Sequence, residues 1–391
     1  MQQTRVVVAP DKFKGCLPAT GVAQALADGI HRVRPDADVT LLPVADGGDG
    51  TVAAALAAGY AHVVVEVEGP TGEPVLAPYA VRDDHAVVEL AAACGLDLLP
   101  HGRSAPLDAS TYGLGQVLRH ALEHGARHVV VGLGGSASTD GGAGMVQALG
   151  ARLLDRGGHE LGRGGARLAD LASLDLSGLV PLDGVEVVVA SDVDHPLLGA
   201  RGAAAVFGPQ KGADPTQVVR LDEALARWAD VVATATGRDL RGVAGAGAAG
   251  GTGFAALALL GATLRPGIEL VLDLVGFAEA AHGASLVVTG EGSLDEQSLA
   301  GKAPVGVAAA GARAGARTVA VAGRVLLEPG HAEAAGISAV YALSDLEPDP
   351  ARSIAHAAEL LELLGAQVAR DWLDGPGRPA VPAGTSTEEE R

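Results

Sequence analysis

The chain has 391 residues, 48% hydrophobic and 19% charged, which is enough for two domains, or one large one, with a substantial core. A formal charge of −19 excludes nucleic acid and anionic membrane as general partners, because either polyanion would be repelled over the whole surface. Apolar runs break at Gly, Asp or Pro before about 18 residues, so no membrane span is expected; two cysteines without CxxC spacing, Cys16 and Cys94, indicate a reducing, cytoplasmic compartment.

Arg5 to Ala9 is a β-branched run ending at Pro10 and Asp11, and an amphipathic stretch from Ala19 to Val33 follows, so strand, loop and helix are expected in that order. The start MQQTRVVVAP has no long apolar run after a basic stretch and does not read as a signal peptide. The loop carries APDKFKG, placing Asp11, Lys12 and Lys14 ahead of the helix, where its N-terminal dipole favours anions. A second strand, Val39 to Pro43, leads into ADGGDGT (Ala45 to Thr51) and a helix from Val52 to Ala58. Gly47 and Gly48 let backbone amides turn toward an anion, although turn chemistry alone also explains Asp-Gly-Gly.

Residues 62–90 alternate in the manner of an antiparallel meander. Strand and helix then alternate again: helix 113–124, strand 128–132, helix 141–150, strand 185–190 and helix 216–235. GLGGSASTDGGAGM (Gly132 to Met145) follows a strand directly; its small residues suit a phosphate cradle, Ser136, Ser138 and Thr139 offer hydroxyls, and Asp140 can cap the helix or act as a base. No GxxxxGK[ST] occurs, so it is not a P-loop. Past the next strand, ASDVDHPLLG brings Asp192 and Asp194, and FGPQKGA brings Lys211. GAGAAGGTG contains GxGxxG from Gly245 to Gly250 but lacks the preceding strand that a dinucleotide site needs; a phosphate-accepting helix start or close packing fits it better.

From residue 285 the opening pattern returns, with SLVVTGEG as strand then loop, Pro304 to Ala314 as helix and RTVAVAG as strand. The loop carries Glu291, Asp295 and Gln297, and Lys302 stands near the helix start. The expected architecture is therefore α/β with two domains. Residues 1–62 and 277–373 form a discontinuous doubly wound parallel-sheet domain of the Rossmann or flavodoxin type, residues 63–276 an inserted α/β domain, and 374–391 a disordered tail rich in Pro, Gly and charge.

Only four lysines stand against twenty-four arginines, and all four, Lys12, Lys14, Lys211 and Lys302, lie in these loop motifs. Chance survivors would scatter over exposed helices, so a shared anion site is expected of them. Carboxylates without His or Cys clustering suit Mg²⁺, and with only His195 of twelve histidines inside a motif, zinc is not expected.

Taken together, APDKFKG, PVADGGDGT, GGSASTDGGAGM, DVDHPLLG with GPQKGA, GAGAAGG and TGEGSLDEQSLAGKAPVGVA resemble the bacterial type I glycerate kinases over about residues 4 to 370. The resemblance implies ATP- and Mg²⁺-dependent phosphorylation of D-glycerate, typically at the 2-hydroxyl. The 3-hydroxyl, a related small hydroxyacid, or a sensor that binds nucleotide or hydroxyacid without catalysis stand as alternatives, and a homodimer stays open.

It further implies a catalytic set of Lys14, Asp46, Asp192, Lys211, Glu291 and Asp295, with Asp192, Glu291 and Asp295 as the metal candidates. Substrate contacts fall to Asp11, Lys12, Gly47, Gly48, Thr51, Gln297 and Lys302. Nucleotide contacts fall to Gly134, Gly135, Ser136, Asp140, Gly247, Gly250 and Gly251. Thr139 and His195 stand where the family pattern expects Asn, and Lys12 where Ser is common, which bears on substrate preference more than on reaction type.

Overall fold

A computed structural model describes residues 4–100, 103–299 and 301–374. The chain divides into two compact units, Met1–Asp46 with Val271–Arg391, and Gly47–Leu270. These boundaries differ from those expected at 62/63 and 276/277: the helix Thr51–Ala57 belongs to the second unit and Phe277–Ala281 has its lead-in within the first. The expected tail, apart from Asp374, lies outside the described residues.

Thirteen strands form among the described residues: β1 (Arg5–Pro10), β2 (Asp38–Leu41), β3 (Ala61–Glu68), β4 (Pro74–Arg82), β5 (His85–Glu89), β6 (His128–Gly132), β7 (Arg152–Leu154), β8 (Ser173–Asp175), β9 (Glu186–Ala190), β10 (Thr263–Arg265), β11 (Leu286–Leu294), β12 (Arg317–Val325) and β13 (Val340–Ala342).

The first unit is doubly wound. Its five strands are all parallel in the order β13-β12-β11-β1-β2, which counted within the unit is 2-1-3-4-5 read from the β2 edge, the flavodoxin order. Val6, Val8, Val288, Val319 and Val321 are buried because helices cover both faces, which is why these strands read as unbroken β-branched runs. The helix Ala19–Val33, bounded as expected, crosses Ala357–Trp372 at glycines on both sides. A Cβ on Gly29 would lie 2.0 Å from the Glu362 carbonyl oxygen and one on Gly365 2.3 Å from that of Leu26, so backbone meets backbone there.

The second unit carries a mixed sheet, β10-β9-β6-β5-β4-β3, in which β3, β4 and β5 form the antiparallel meander and β5, β6, β9 and β10 run parallel. Leu114, Met145, Leu149, Trp228 and Phe254 fill its core. The long helix Pro215–Thr236 starts at an Asp214/Gln217 capping box and stops at Gly237 in the left-handed region.

One local expectation fails. Glu291 was placed on a loop but lies inside β11, paired with Ala322 of β12. Its neighbours explain why the strand continues through TGEG: a Cβ on Gly290 would sit 2.2 Å from the Val321 carbonyl oxygen, so only glycine lets β12 stay this close.

Candidate functional site

In the first unit the strand order reverses between β1 and β11, and the carboxyl ends of strands at such a point are where open α/β sheets bind ligands. The Asp11 amide donates to the Gly290 carbonyl at 2.8 Å, tying the two strand ends together. The following loop turns through a bridge between Phe13 and Leu17 before the helix begins at Ala19, which leaves Lys14 exposed at the loop tip and Lys12 half-buried. The Lys12 amide donates to Asp11 Oδ1 at 2.6 Å. Burial first, and then the Asp46 carboxylate with a smaller push from Glu291, raise the Asp11 carboxyl from 3.8 to about 7 against the pull of Lys12.

Glu291 is 9% exposed, and burial likewise raises its carboxyl; Ser298 and Lys302 pull it down while Asp295 and Asp46 push it up. Its Oε1 is buried and accepts no hydrogen bond among the described residues. Asp295 Oδ1 accepts from the amides of Gln297 at 2.9 Å and Ser298 at 3.2 Å, opening the short helix Glu296–Leu299. Lys302 stands at the N-cap of Ala303–Arg313. Thus Asp11, Lys12, Asp46, Glu291, Asp295 and Lys302 are electrostatically coupled, with Lys14 and Gln297 exposed nearby in sequence.

In the second unit the expected motif residues also gather past the carboxyl ends of parallel strands, but mostly as packing and as ties. Gly47 has φ +85, and a Cβ there would lie 2.4 Å from Gly267 Cα; one on Gly134 would lie 2.7 Å from Gly48 Cα. The ADGGDGT turn and the turn after β6 therefore touch through bare backbone. Thr51 was expected on substrate, but it is fully buried and its hydroxyl donates to the Gly48 carbonyl at 2.7 Å. Asp192 Oδ1 accepts from the Gly267 amide at 2.9 Å, at the start of the helix Gly267–Leu274.

Asp140 was expected to cap the following helix, to meet the nucleotide or to act as a base. It is fully buried, and Oδ2 accepts from the Thr111 amide (2.8 Å), the Thr111 hydroxyl (2.9 Å) and the Gly144 amide (3.1 Å), while Oδ1 accepts from the Gly142 amide (3.2 Å). With both oxygens committed to backbone and hydroxyl donors, it is the tie that fixes this loop. Gly247, Gly250 and Gly251, expected on the nucleotide, are tightly packed. All three are buried, and Cβ atoms on them would meet the Pro196 carbonyl oxygen at 2.3 Å, the Ser138 carbonyl oxygen at 2.1 Å and Leu197 Cδ1 at 2.7 Å. They are close-packing glycines, and Ala249 beside them is held at φ +51.

Lys211, expected with the other lysines at a shared anion site, is buried and donates to the Ser138 carbonyl; burial lowers its ammonium from 10.5 to about 7, and Asp140 opposes this only in part. Of the four lysines, Lys12, Lys14 and Lys302 stand in the first unit and Lys211 in the second. Gly135, at φ +74, is exposed beside half-buried Gly134, whereas the Ser136 hydroxyl is buried against Ser138 and the Ala249 carbonyl. Thr139 is fully buried with a hydroxyl that finds no partner among the described residues, and His195 packs its ring edge-on against Phe207.

Sequence reasoning passed over Glu89. At the end of β5 its Oε1 accepts from the amides of Gly50 (3.0 Å) and Val52 (2.5 Å) and so caps the helix Thr51–Ala57. An acid closing a buried strand, as Asp11 and Asp192 do after theirs, was the available signal.

Comparison with known proteins agrees with this organisation. The pattern described as the glycerate kinase family matches residues 6–373. A glycerate kinase of Halalkalibacterium halodurans is 46% identical over 81% of this chain and 85% of its own length. A glycerate 2-kinase of Escherichia coli is 45% identical over 87% of this chain and 90% of its own. The crystal structure of a putative glycerate kinase 2 from Salmonella typhimurium superposes with a TM-score of 0.84 at 42% identity, covering 94% of this chain and 98% of that one. With a match that runs through both units and a shared fold at this identity, the chain belongs to the glycerate kinase family, and with it to the kinases.

Proposed function

We propose that the chain transfers the γ-phosphoryl group of ATP to D-glycerate and yields 2-phosphoglycerate. The observation that carries this reading furthest is the coupled carboxylate cluster at the β1/β11 strand ends, with its buried Glu291 oxygen that has no hydrogen-bond partner among the described residues and the ammonium groups of Lys12, Lys14 and Lys302 on the same unit. A buried acceptor without a donor asks for a cation or a proton.

The donor set is all oxygen, which fits Mg²⁺; Glu291, with Asp11, Asp46 and Asp295 about it, would hold the ion, and the ion would supply neutralisation of the phosphate charge. Asp11 Oδ2 is suited to take the proton of the attacking hydroxyl, since Oδ1 already accepts from the Lys12 amide. Asp46 orients the glycerate hydroxyls. Lys14 and Lys302 bind the substrate carboxylate and the transferring phosphoryl group as compact charges. In the second unit the exposed backbone at Gly134 and Gly135 is the part of the expected cradle left to meet nucleotide phosphate, with Lys211 and Asp140 holding its shape from behind.

The test is NMR of the product formed from ATP, Mg²⁺ and D-glycerate. A 2-phosphoglycerate spectrum supports the proposal, 3-phosphoglycerate overturns its regiochemistry, and phosphate release without an esterified product overturns the transfer itself.

A further inference from the structure

At the opposite ends of the second unit's parallel strands from its loop motifs, a separate set of side chains converges. β5 begins with His85, β6 with His128 and β9 with Glu186, and the three are in direct register across adjacent strands. The rings of His85 and His128 stack at 4.6 Å between centroids. Asp84, in the turn before β5, reaches both: its Oδ1 lies 3.0 Å from His85 Nδ1 and its Oδ2 3.7 Å from His128 Nε2. One ligand atom from each of Asp84, His85 and His128 falls within 4.8 Å of the other two. The far side of the His128 ring is held as well, with Nδ1 at 3.1 Å from Glu186 Oε2.

The backbone fixes this geometry. The Asp84 carbonyl accepts from the amides of Arg127 (2.7 Å) and His128 (3.1 Å), and the Arg127 carbonyl accepts from the Glu186 amide at 2.7 Å. His85, His128 and Glu186 are thus mounted on three neighbouring strand starts, and Asp84 on the turn before β5 that the Arg127 and His128 amides pin.

We propose that Asp84, His85 and His128 form a binding site for a borderline divalent transition metal ion of the Zn²⁺ class. Two imidazoles and a carboxylate are the donor types such ions select over Mg²⁺. Ligand atoms around a tetrahedral ion stand about 3.3 Å apart, and one atom from each of the three residues already lies within 4.8 Å of the others, so closing on an ion needs side-chain rotation that turns the two rings out of their stack and no backbone movement. Glu186 supplies what a metal-binding imidazole needs at its other nitrogen, a carboxylate that fixes the tautomer and leaves Nε2 facing Asp84. The fourth position is open to solvent, since the His85 and His128 side chains are 48% and 44% exposed. The ion would cross-link β5 to β6, away from the strand ends that carry the proposed chemistry.

The experiment is titration of the tag-free full-length protein with Zn²⁺ by calorimetry, with millimolar Mg²⁺ present to occupy all-oxygen sites, alongside the visible absorption of the Co²⁺-loaded protein. The expected result is one ion per chain with a Kd on the order of micromolar, and Co²⁺ bands of low-coordinate nitrogen–oxygen ligation. His128→Gln and His85→Gln should each weaken binding by at least about tenfold, and Glu186→Gln by about tenfold, while glycerate phosphorylation stays at the parent rate. Binding that survives in the His85→Gln/His128→Gln double variant overturns the assignment. Should that variant melt early, Glu186→Gln and the parent's Co²⁺ spectrum decide: no Co²⁺ bands, or bands unchanged by Glu186→Gln, also overturn it.

Discussion

Replacing Asp140 by Ala separates a structural tie from a ligand-binding carboxylate. The substitution strips the acceptor from five buried donors: the Thr111 amide and hydroxyl, the amides of Gly142 and Gly144, and, at a long 3.4 Å, the Ser110 hydroxyl. Each orphaned donor costs about 1–3 kcal/mol. A water in the vacated space recovers part of this, and the released cost of burying the carboxylate recovers more, so we expect a net loss of about 4 kcal/mol. For a unit of this size that is a fall in Tm of about 8–16 °C. Trp228 is a local reporter, because its indole Nε1 donates to the Gly141 carbonyl at 2.9 Å, next to Asp140. The chain has one other tryptophan, Trp372 in the first unit, so a Trp372→Phe background lets fluorescence follow the second unit alone. Loss of turnover with a Tm within about 2 °C of the parent would refute the reasoning, since it would mean that the carboxylate serves a ligand rather than the fold.

Lys14 is exposed on its loop, so Lys14→Ala should leave the melting curve unchanged and lower kcat/KM by orders of magnitude; near-normal turnover removes it from the proposed site. Gly250 and Ala249 share the left-handed region but differ in surroundings. Gly250→Ala drives a Cβ to 2.1 Å from the Ser138 carbonyl oxygen and should cost more than about 2 kcal/mol by urea denaturation, whereas Ala249→Gly relieves φ +51 and should be neutral or stabilising by up to about 1 kcal/mol. Lys211, lowered from 10.5 to about 7 by burial, gives a signed pH dependence. Between those values the unfolded chain binds the proton that the folded chain does not, so stability is fully present above about 10.5 and is lost as pH falls through 7. Urea midpoints of the second unit should rise from pH 7 to 10, and Lys211→Met should flatten that slope; an unaltered slope means that another group titrates.

The loop motifs at strand ends were legible because glycines, acids and scarce lysines are unusual there, and the strands themselves because β-branched runs buried on both faces admit little else. Which motif residues meet ligand was not. Asp140, Gly247, Gly250 and Gly251 look from the sequence like parts of a phosphate site and Thr51 like a substrate contact, yet their partners are the Thr111 and Gly144 amides, the Gly48, Ser138 and Pro196 carbonyls and the Leu197 side chain. Thr111 is 29 residues from Asp140, and the Pro196, Leu197 and Ser138 groups that meet Gly247, Gly251 and Gly250 are likewise remote along the chain, so no local pattern announces them; only the Gly48 and Gly144 partners are local. The cluster of Asp84, His85 and His128 escaped for the same reason: Asp84 and His85 are adjacent and look like an ordinary turn until β6 sets His128 in register beside them.

Residue order alone determined the element types, the recurrence of acid and glycine at strand ends, and the family, because side-chain shape and backbone freedom act over a few residues. Tertiary structure decided which carboxylates share charge and which are consumed by amides. It also decided where the compact units divide and that Glu291 keeps a buried oxygen without a donor among the described residues. Those outcomes depend on burial and on groups brought close by the sheet, and Coulomb energy and desolvation respond to distance in space, not to separation along the chain.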